Sequence, residues 1–269
     1  MQSVVDAESA VAVTELLVLW QQPSTRAMLP IAVLSFDGEY YRFRYLDGVA
    51  DLEGFRALVG FREFEREYQN EDLFPLFQER VLYPGRSDYG RVVQELDLDP
   101  SKATPWEQLI RTGGSSEGDT IQVTPFPRAT AGGWECLFLA AGMRYFQEKS
   151  VKTHRGTSVT YTEGEFEALL SALSSGDSLE VVLEVDNTYN PSAHLLFYGD
   201  HIVGYLPDWL ARLTAPWVVE GNPVVGQIVR LNESGAGWHL RLMVVISADE
   251  PFADLDSRLR LGKALRYGS

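Results

Sequence analysis

Cysteine is nearly absent from this chain of 269 residues: the single Cys136 rules out an intramolecular disulfide and fits a reducing compartment. Histidine is scarce too. His154, His194, His201 and His239 are scattered, no two sit at i, i+4 spacing, and one thiol makes no structural zinc cluster, so no metal or other cofactor is expected. His194 and His201, set across a tight hairpin, are the one pair that folding could bring together. Long apolar runs are missing, because Leu16–Trp20 and Leu240–Ile246 are far too short to span a bilayer. The N-terminus carries Asp6 and Glu8 where a secretory signal needs basic residues. A cytoplasmic protein without a membrane partner is the expectation.

Positive charge is also in short supply. The net charge is −15; residues 1–120 carry 11 Lys/Arg against 21 Asp/Glu, and residues 121–269 carry 12 against 17. A protein that coats duplex DNA must offset phosphate charge with many cations, and neither half has them. A small pocket gripping one strand through stacking and a few hydrogen bonds is not excluded by this balance. The cations cluster in two places: Arg144, Lys149, Lys152, His154 and Arg155, and the tail Arg258, Arg260, Lys263 and Arg266. The tail reads as a solvated face. The nucleophile-elbow spacing is absent, Gly113-Gly114 follows a helix instead of opening one, and nothing singles out two of the many carboxylates. The expectation is a binding module with no catalytic residues, not an enzyme.

The residues that are present describe an α+β chain. Strands are expected at Glu15–Trp20, Leu29–Phe36 and Tyr40–Tyr45, the last two joined by the hairpin signal Asp37-Gly38. Helices follow over Glu71–Arg80, Asp88–Leu96 and from the capping box Thr104-Pro105-Trp106-Glu107 to Gly113. The polar loop Ser115–Asp119 is the best seam, dividing the chain into residues 1–118 and 119–269. Beyond it the chain is mostly β: Thr120–Thr124, Glu135–Gly142, Ser178–Val185, His194–Tyr198, His201–Tyr205, Pro223–Leu231 and His239–Ile246. A capping box at Thr162–Glu165 opens a helix to about Leu173, and Asp208–Leu213 forms a shorter one. Short strands at this spacing suggest a small barrel or sandwich.

Two segments carry chemistry. Leu137–Phe146 reads LFLAAGMRYF, and Leu183–Pro207 holds the turn Asp186-Asn187-Thr188-Tyr189-Asn190-Pro191 and the corner Gly204-Tyr205-Leu206-Pro207. An arginine and aromatics at a strand end, here Arg144, Tyr145 and Phe146, can hold a nucleotide by stacking and by charged bonds to phosphate. They can equally be a salt-bridged arginine with rings packed in a core.

Together these motifs resemble the HIRAN domain over about residues 134–246, and the resemblance implies an OB-like barrel that captures the 3′-hydroxyl end of single-stranded DNA, in repair or defence. It implies that Arg144 contacts the terminal phosphodiester and that Tyr145 and Tyr189 sandwich bases. Phe146, Asn187, Asn190 and Tyr205 complete the site, and Lys149 and Lys152 supply positive charge. Asn190 stands where the family has Asp, Thr188 replaces Pro, and Asp208 follows the corner where relatives carry a cation. No ATPase motor accompanies the motifs. A looser resemblance joins Phe43–Gly48, Leu73–Val81 and Leu109–Gly114 to the N-terminal subdomain of HipA-type toxins. The alternative to nucleic acid is a protein–protein module whose acidic N-terminal half docks a basic partner.

Overall fold

The computed structural model describes residues 13–114, 120–148, 150–152, 158–184, 187 and 190–260. In chain order its elements are β1 (Glu15–Gln21), β2 (Met28–Phe36), β3 (Tyr41–Tyr45), β4 (Tyr68–Asn70), α1 (Pro75–Gln78), α2 (Tyr89–Glu95), α3 (Pro105–Thr112), β5 (Ile121–Pro125), β6 (Arg128–Thr130), β7 (Gly133–Leu139), α4 (Tyr145–Glu148), β8 (Val151–Lys152), β9 (Ser158–Val159), α5 (Glu163–Ser171), β10 (Ser178–Leu183), β11 (His194–Tyr198), β12 (His201–Tyr205), α6 (Asp208–Val219), β13 (Val225–Leu231), β14 (Leu242–Ala248) and α7 (Phe252–Arg260).

Two antiparallel sheets organise them. The first has the order β4-β3-β2-β1-β5 and the second β12-β11-β10-β13-β14-β7-β6, while β8 and β9 form a separate hairpin. In the first sheet β1 and β2 are buried along almost their whole length, which suits apolar runs covered on both faces. In the second, β7 and β13 alternate buried and open positions, the pattern of a sheet with one wet face. The seam expected at residues 115–119 lies outside the described residues. The strand after it, β5, pairs with β1 and so completes the first sheet; sheet membership changes only after Pro125. One continuous apolar core spans both sheets.

The α+β class holds, with a qualification about the barrel. The second sheet curls until its strands β7 and β12 meet, but the contact is a single bridge, Ala141 to Tyr205, and not a closed ladder. Both backbone bonds of that bridge measure 2.9 Å.

Local chemistry explains most boundaries. Thr104 and Thr162 each close a reciprocal capping box, with Glu107 and Glu165 respectively. The helix expected over Glu71–Arg80 shrinks to one turn, because Pro75 at the first helical position marks where it can start. Helix α6 runs past the expected Leu213: Pro216 forfeits one intrahelical bond, and the buried Trp209, Leu210 and Leu213 anchor the helix regardless. The tail was expected to be a solvated face, and over its described part this is corrected. Arg258 pairs with the buried Glu250, whose other oxygen accepts the Trp134 indole N–H at 3.0 Å. Arg260 binds Asp256 at 2.6 Å and lies 4.8 Å over the Phe126 ring. These arginines tie α7 to both sheets. Lys263 and Arg266 lie outside the described residues.

Candidate nucleic-acid interface

Three chain segments converge where the second sheet closes. They are the turn after β7 (residues 140–146), the described residues of the turn between β10 and β11, and the end of β12 running into α6. The Ala141–Tyr205 bridge joins the first to the third. Gly142 then turns the chain with φ +70°, and a Cβ there would lie 2.6 Å from Cδ2 of Tyr205, so only glycine fits both the backbone and the space.

That turn separates the fates of the next residues. Phe146 points inward and is fully buried, stacked on Tyr205 at 5.2 Å and 15° and packed against Phe166 at 6.0 Å. Its expected contact with a ligand is therefore corrected: it supports Tyr205 from below and offers no surface. Tyr145 stays 38% exposed and meets Tyr205 edge-on at 6.4 Å. Arg144 is exposed and has no ion-pair partner among the described residues. The rings and the guanidinium sit on the helical turn α4 and its approach, just past the end of the strand expected over Glu135–Gly142.

The opposite wall is a chain of hydrogen bonds. The Tyr205 hydroxyl donates to the Glu184 carboxylate, and burial first, then that carboxylate's charge, hold the phenol well above its ordinary pKa. Asn187 Nδ2 donates to Glu184 at 2.6 Å, and Asn187 Oδ1 accepts the Asn190 backbone N–H at 2.9 Å. Asn190 Oδ1 accepts the Ser192 N–H at 3.0 Å, and Asn190 Nδ2 donates to Asp208 at 2.8 Å. Arg212 Nε reaches both Asp208 oxygens, at 3.0 and 3.1 Å. The amide oxygen of Asn190 is thus engaged by backbone. The expectation that it meets a strand's terminal hydroxyl gives way to an acceptor the sequence pattern did not single out, Glu184. The charge of Asp208 is compensated locally by Arg212, a pair whose i, i+4 spacing on a helix is legible in sequence.

Tyr189 and Lys149 lie outside the described residues. Lys152 is exposed on β8, and no bond among the described residues ties it to the three segments. His194 is fully buried at the start of β11 with Nδ1 2.7 Å from Ser192 O, whereas His201 is exposed at the far end of the hairpin opposite Tyr198, so the two do not meet. Among the described residues no group of three or more His, Cys, Asp or Glu side chains is placed to hold a metal ion, and no helix is long and apolar enough to cross a membrane.

Comparison with known proteins adds little to this geometry. No family model and no curated protein matches the chain. A crystal structure of a protein from Lactobacillus plantarum is similar at 20% identity over 41% of this chain and 89% of that one, with a TM-score of 0.30. The crystal structure of the HIRAN domain of human HLTF is similar at 12% identity over 48% of this chain and 88% of that one, with a TM-score of 0.31. The looser resemblance of part of the first half to HipA-type toxins has no support from these comparisons. Superpositions this loose transfer no chemistry, so function is reasoned from the site itself.

Proposed function

We propose that the chain is a binding module for the 3′ end of single-stranded DNA, held between the Arg144–Tyr145 turn and the Glu184–Asn190 turn. The observation that carries this reading is the juxtaposition of an exposed guanidinium, a partly exposed ring and a half-buried hydroxyl–carboxylate pair within one closure of the sheet. The terminal base stacks on Tyr145, an interaction worth about 1–3 kcal/mol per base. Arg144 meets the last phosphodiester through charged hydrogen bonds. Glu184 accepts the terminal hydroxyl while keeping its bond from Tyr205, since a carboxylate offers about four acceptor positions. Tyr189, two residues after Asn187 in the sequence, is assigned the second stacking face by the family resemblance alone.

Selectivity follows from charge. A 3′-phosphate would bring a dianion up to Glu184 and Asp208, and like charges at such range repel. Fluorescence anisotropy at low salt with labelled strands ending in 3′-hydroxyl or 3′-phosphate tests this. The hydroxyl end is expected to bind about tenfold tighter, a difference of about 1.4 kcal/mol, and Glu184→Gln narrows the gap. Negligible binding of both strands, or equal binding, overturns the reading.

A different surface favours a second reading. Asp47, Asp51, Glu53, Glu63, Glu65, Glu67, Glu71 and Glu79 are all exposed around the first sheet, the kind of field that steers a basic partner. A pull-down that returns only nucleic acid and no stoichiometric protein counts against it.

A further inference from the structure

We infer that His194 is the latch of this site: its neutral imidazole holds the Asn190–Ser192 turn in place, and acid releases the turn and the bound strand end with it. This rests on the strand-end reading above and adds a control to it.

The geometry begins in the core. His194 stands opposite Leu183 of β10, its carbonyl takes the Leu206 N–H at 3.0 Å, and its side chain is fully buried. Burying an imidazole there costs the desolvation of two nitrogens, a cost an aliphatic side chain would not carry. Nδ1 lies 2.7 Å from Ser192 O. A carbonyl oxygen only accepts, so Nδ1 carries the proton and Nε2 is the bare nitrogen. Nε2 is buried and has no hydrogen-bond partner among the described residues. The one bond the ring makes therefore goes to the turn that carries the site.

The effect of that bond runs outward. Ser192 N donates to Asn190 Oδ1 at 3.0 Å, and Ala193 N donates to Asn190 O at 2.9 Å. Asn190 reaches Asp208 through Nδ2 and Asn187 Oδ1 through its backbone N–H, and Asn187 donates to Glu184. Fixing Ser192 thus fixes the wall that receives the terminal hydroxyl. A second proton on the ring has to sit on Nε2, where it sets a charge and an unpaired donor in the core. The ring escapes that penalty by swinging out, which breaks the Ser192 bond.

Neighbouring charges do not offset the penalty. The titratable and charged side chains on the elements flanking His194 are Glu180 and Glu184 on and after β10, His201 and Tyr205 on β12, and Asp208 and Arg212 on α6. Glu180 and His201 lie at the far end of the hairpin, opposite Phe197 and Tyr198. Glu184 is engaged by Tyr205 and Asn187, and Asp208 by Asn190 and Arg212. None of them bonds Nε2.

Anisotropy with the full chain and a labelled 3′-hydroxyl strand, at neutral pH and about one unit below the ordinary histidine pKa, tests this; ordinary carboxylates stay charged over that range. Affinity is expected to fall about fivefold in acid, about tenfold being the ceiling for one proton over one pH unit. The exposed His201 and His239 gain charge over the same range and strengthen the grip on a polyanion, so the sign of the change separates them from the latch. His194→Asn, whose amide can donate to Ser192 O in place of Nδ1 but does not titrate, is expected to match the unaltered chain at neutral pH and to keep that affinity in acid. His194→Leu, which lacks the donor, is expected to bind about fivefold more weakly at both pH values. Melting temperatures identify any protein that has unfolded. In that event nitrogen-15 shifts of the ring in the unaltered chain at neutral pH decide: Nδ1 protonated and Nε2 bare supports the latch, and the reverse tautomer overturns it. Affinity of the unaltered chain that holds or rises in acid, or a fall as steep in His194→Asn, overturns this inference and leaves the strand-end reading standing. No strand binding by the unaltered chain at neutral pH removes both.

Discussion

The two sheets use aromatic rings in opposite ways. Around the first, the rings close on themselves. Phe43 stacks on Phe61 at 3.8 Å, Phe61 meets Phe74 and Phe77, and Tyr45 packs against Phe64 at 4.9 Å. The Tyr45 hydroxyl is consumed by backbone: it accepts the Leu58 N–H at 2.7 Å and donates to Phe61 O at 2.9 Å. Around the second, the row Phe166, Phe146, Tyr205, Tyr145 starts in the core and ends in water, and the Tyr205 hydroxyl is given to a side-chain carboxylate in a turn. A phenol satisfied by backbone serves the fold. A phenol satisfied by an adjustable carboxylate beside an exposed cation leaves bonding capacity for a ligand.

The contrast can be broken experimentally, beginning with the largest effects. Phe61→Ala in the closed cluster and Phe146→Ala in the open row each remove a fully buried ring, and each is expected to cost about 3–5 kcal/mol in urea unfolding. A mild Phe146→Ala would mean that the open row is loosely packed and the contrast is false. Arg258→Ala strands the buried Glu250 carboxylate, with an expected loss of about 3–5 kcal/mol by the same measurement. Because α7 ties both sheets together, the loss should appear as one cooperative transition; two separate transitions would show the sheets to be independent.

Gly142→Ala is expected to cost about 1–3 kcal/mol, since it combines a left-handed backbone with a side chain driven into Tyr205. Tyr145→Ala should change stability by only about 0.5 kcal/mol yet lower oligonucleotide affinity by about 1–3 kcal/mol. Comparable losses in both measurements would return Tyr145 to the core. The smallest effect is one of pH. Burial lowers the pKa of His194 from its ordinary 6.5, so the folded state resists its protonation. Its contribution to stability is complete above the unfolded value and is lost as pH falls below 6.5 toward the folded value. Melting temperatures of the unaltered chain should therefore drop through that window more steeply than those of His194→Gln.

How far the sequence pattern could be followed depends on the range of the interaction. The strands β11 and β12 fall at the expected residues, and both capping boxes form where Thr104 and Thr162 stand three residues before a glutamate. These signals act over a few bonds. The helix α7 has no such local mark: what stabilises it, Glu250 joining Arg258 to the Trp134 indole and Arg260 lying over Phe126, involves residues more than a hundred positions away. The site divides the same way. Arg144 and Tyr145 are legible as a motif, but Phe146, next in sequence, differs from them only by the direction in which Gly142 turns the chain. Glu184 carries no local mark at all; its role depends on the Tyr205 hydroxyl arriving from another strand.

The amino-acid sequence alone determined the α+β class, the alternation of apolar and polar positions that gives the second sheet one wet face, and the scarcity of cations that excludes coating of duplex DNA. Tertiary structure decided which rings face water, which carboxylate meets the Tyr205 hydroxyl and which arginines are already paired. Those outcomes belong to contacts between segments that meet only when the sheet curls far enough for Ala141 to bond Tyr205.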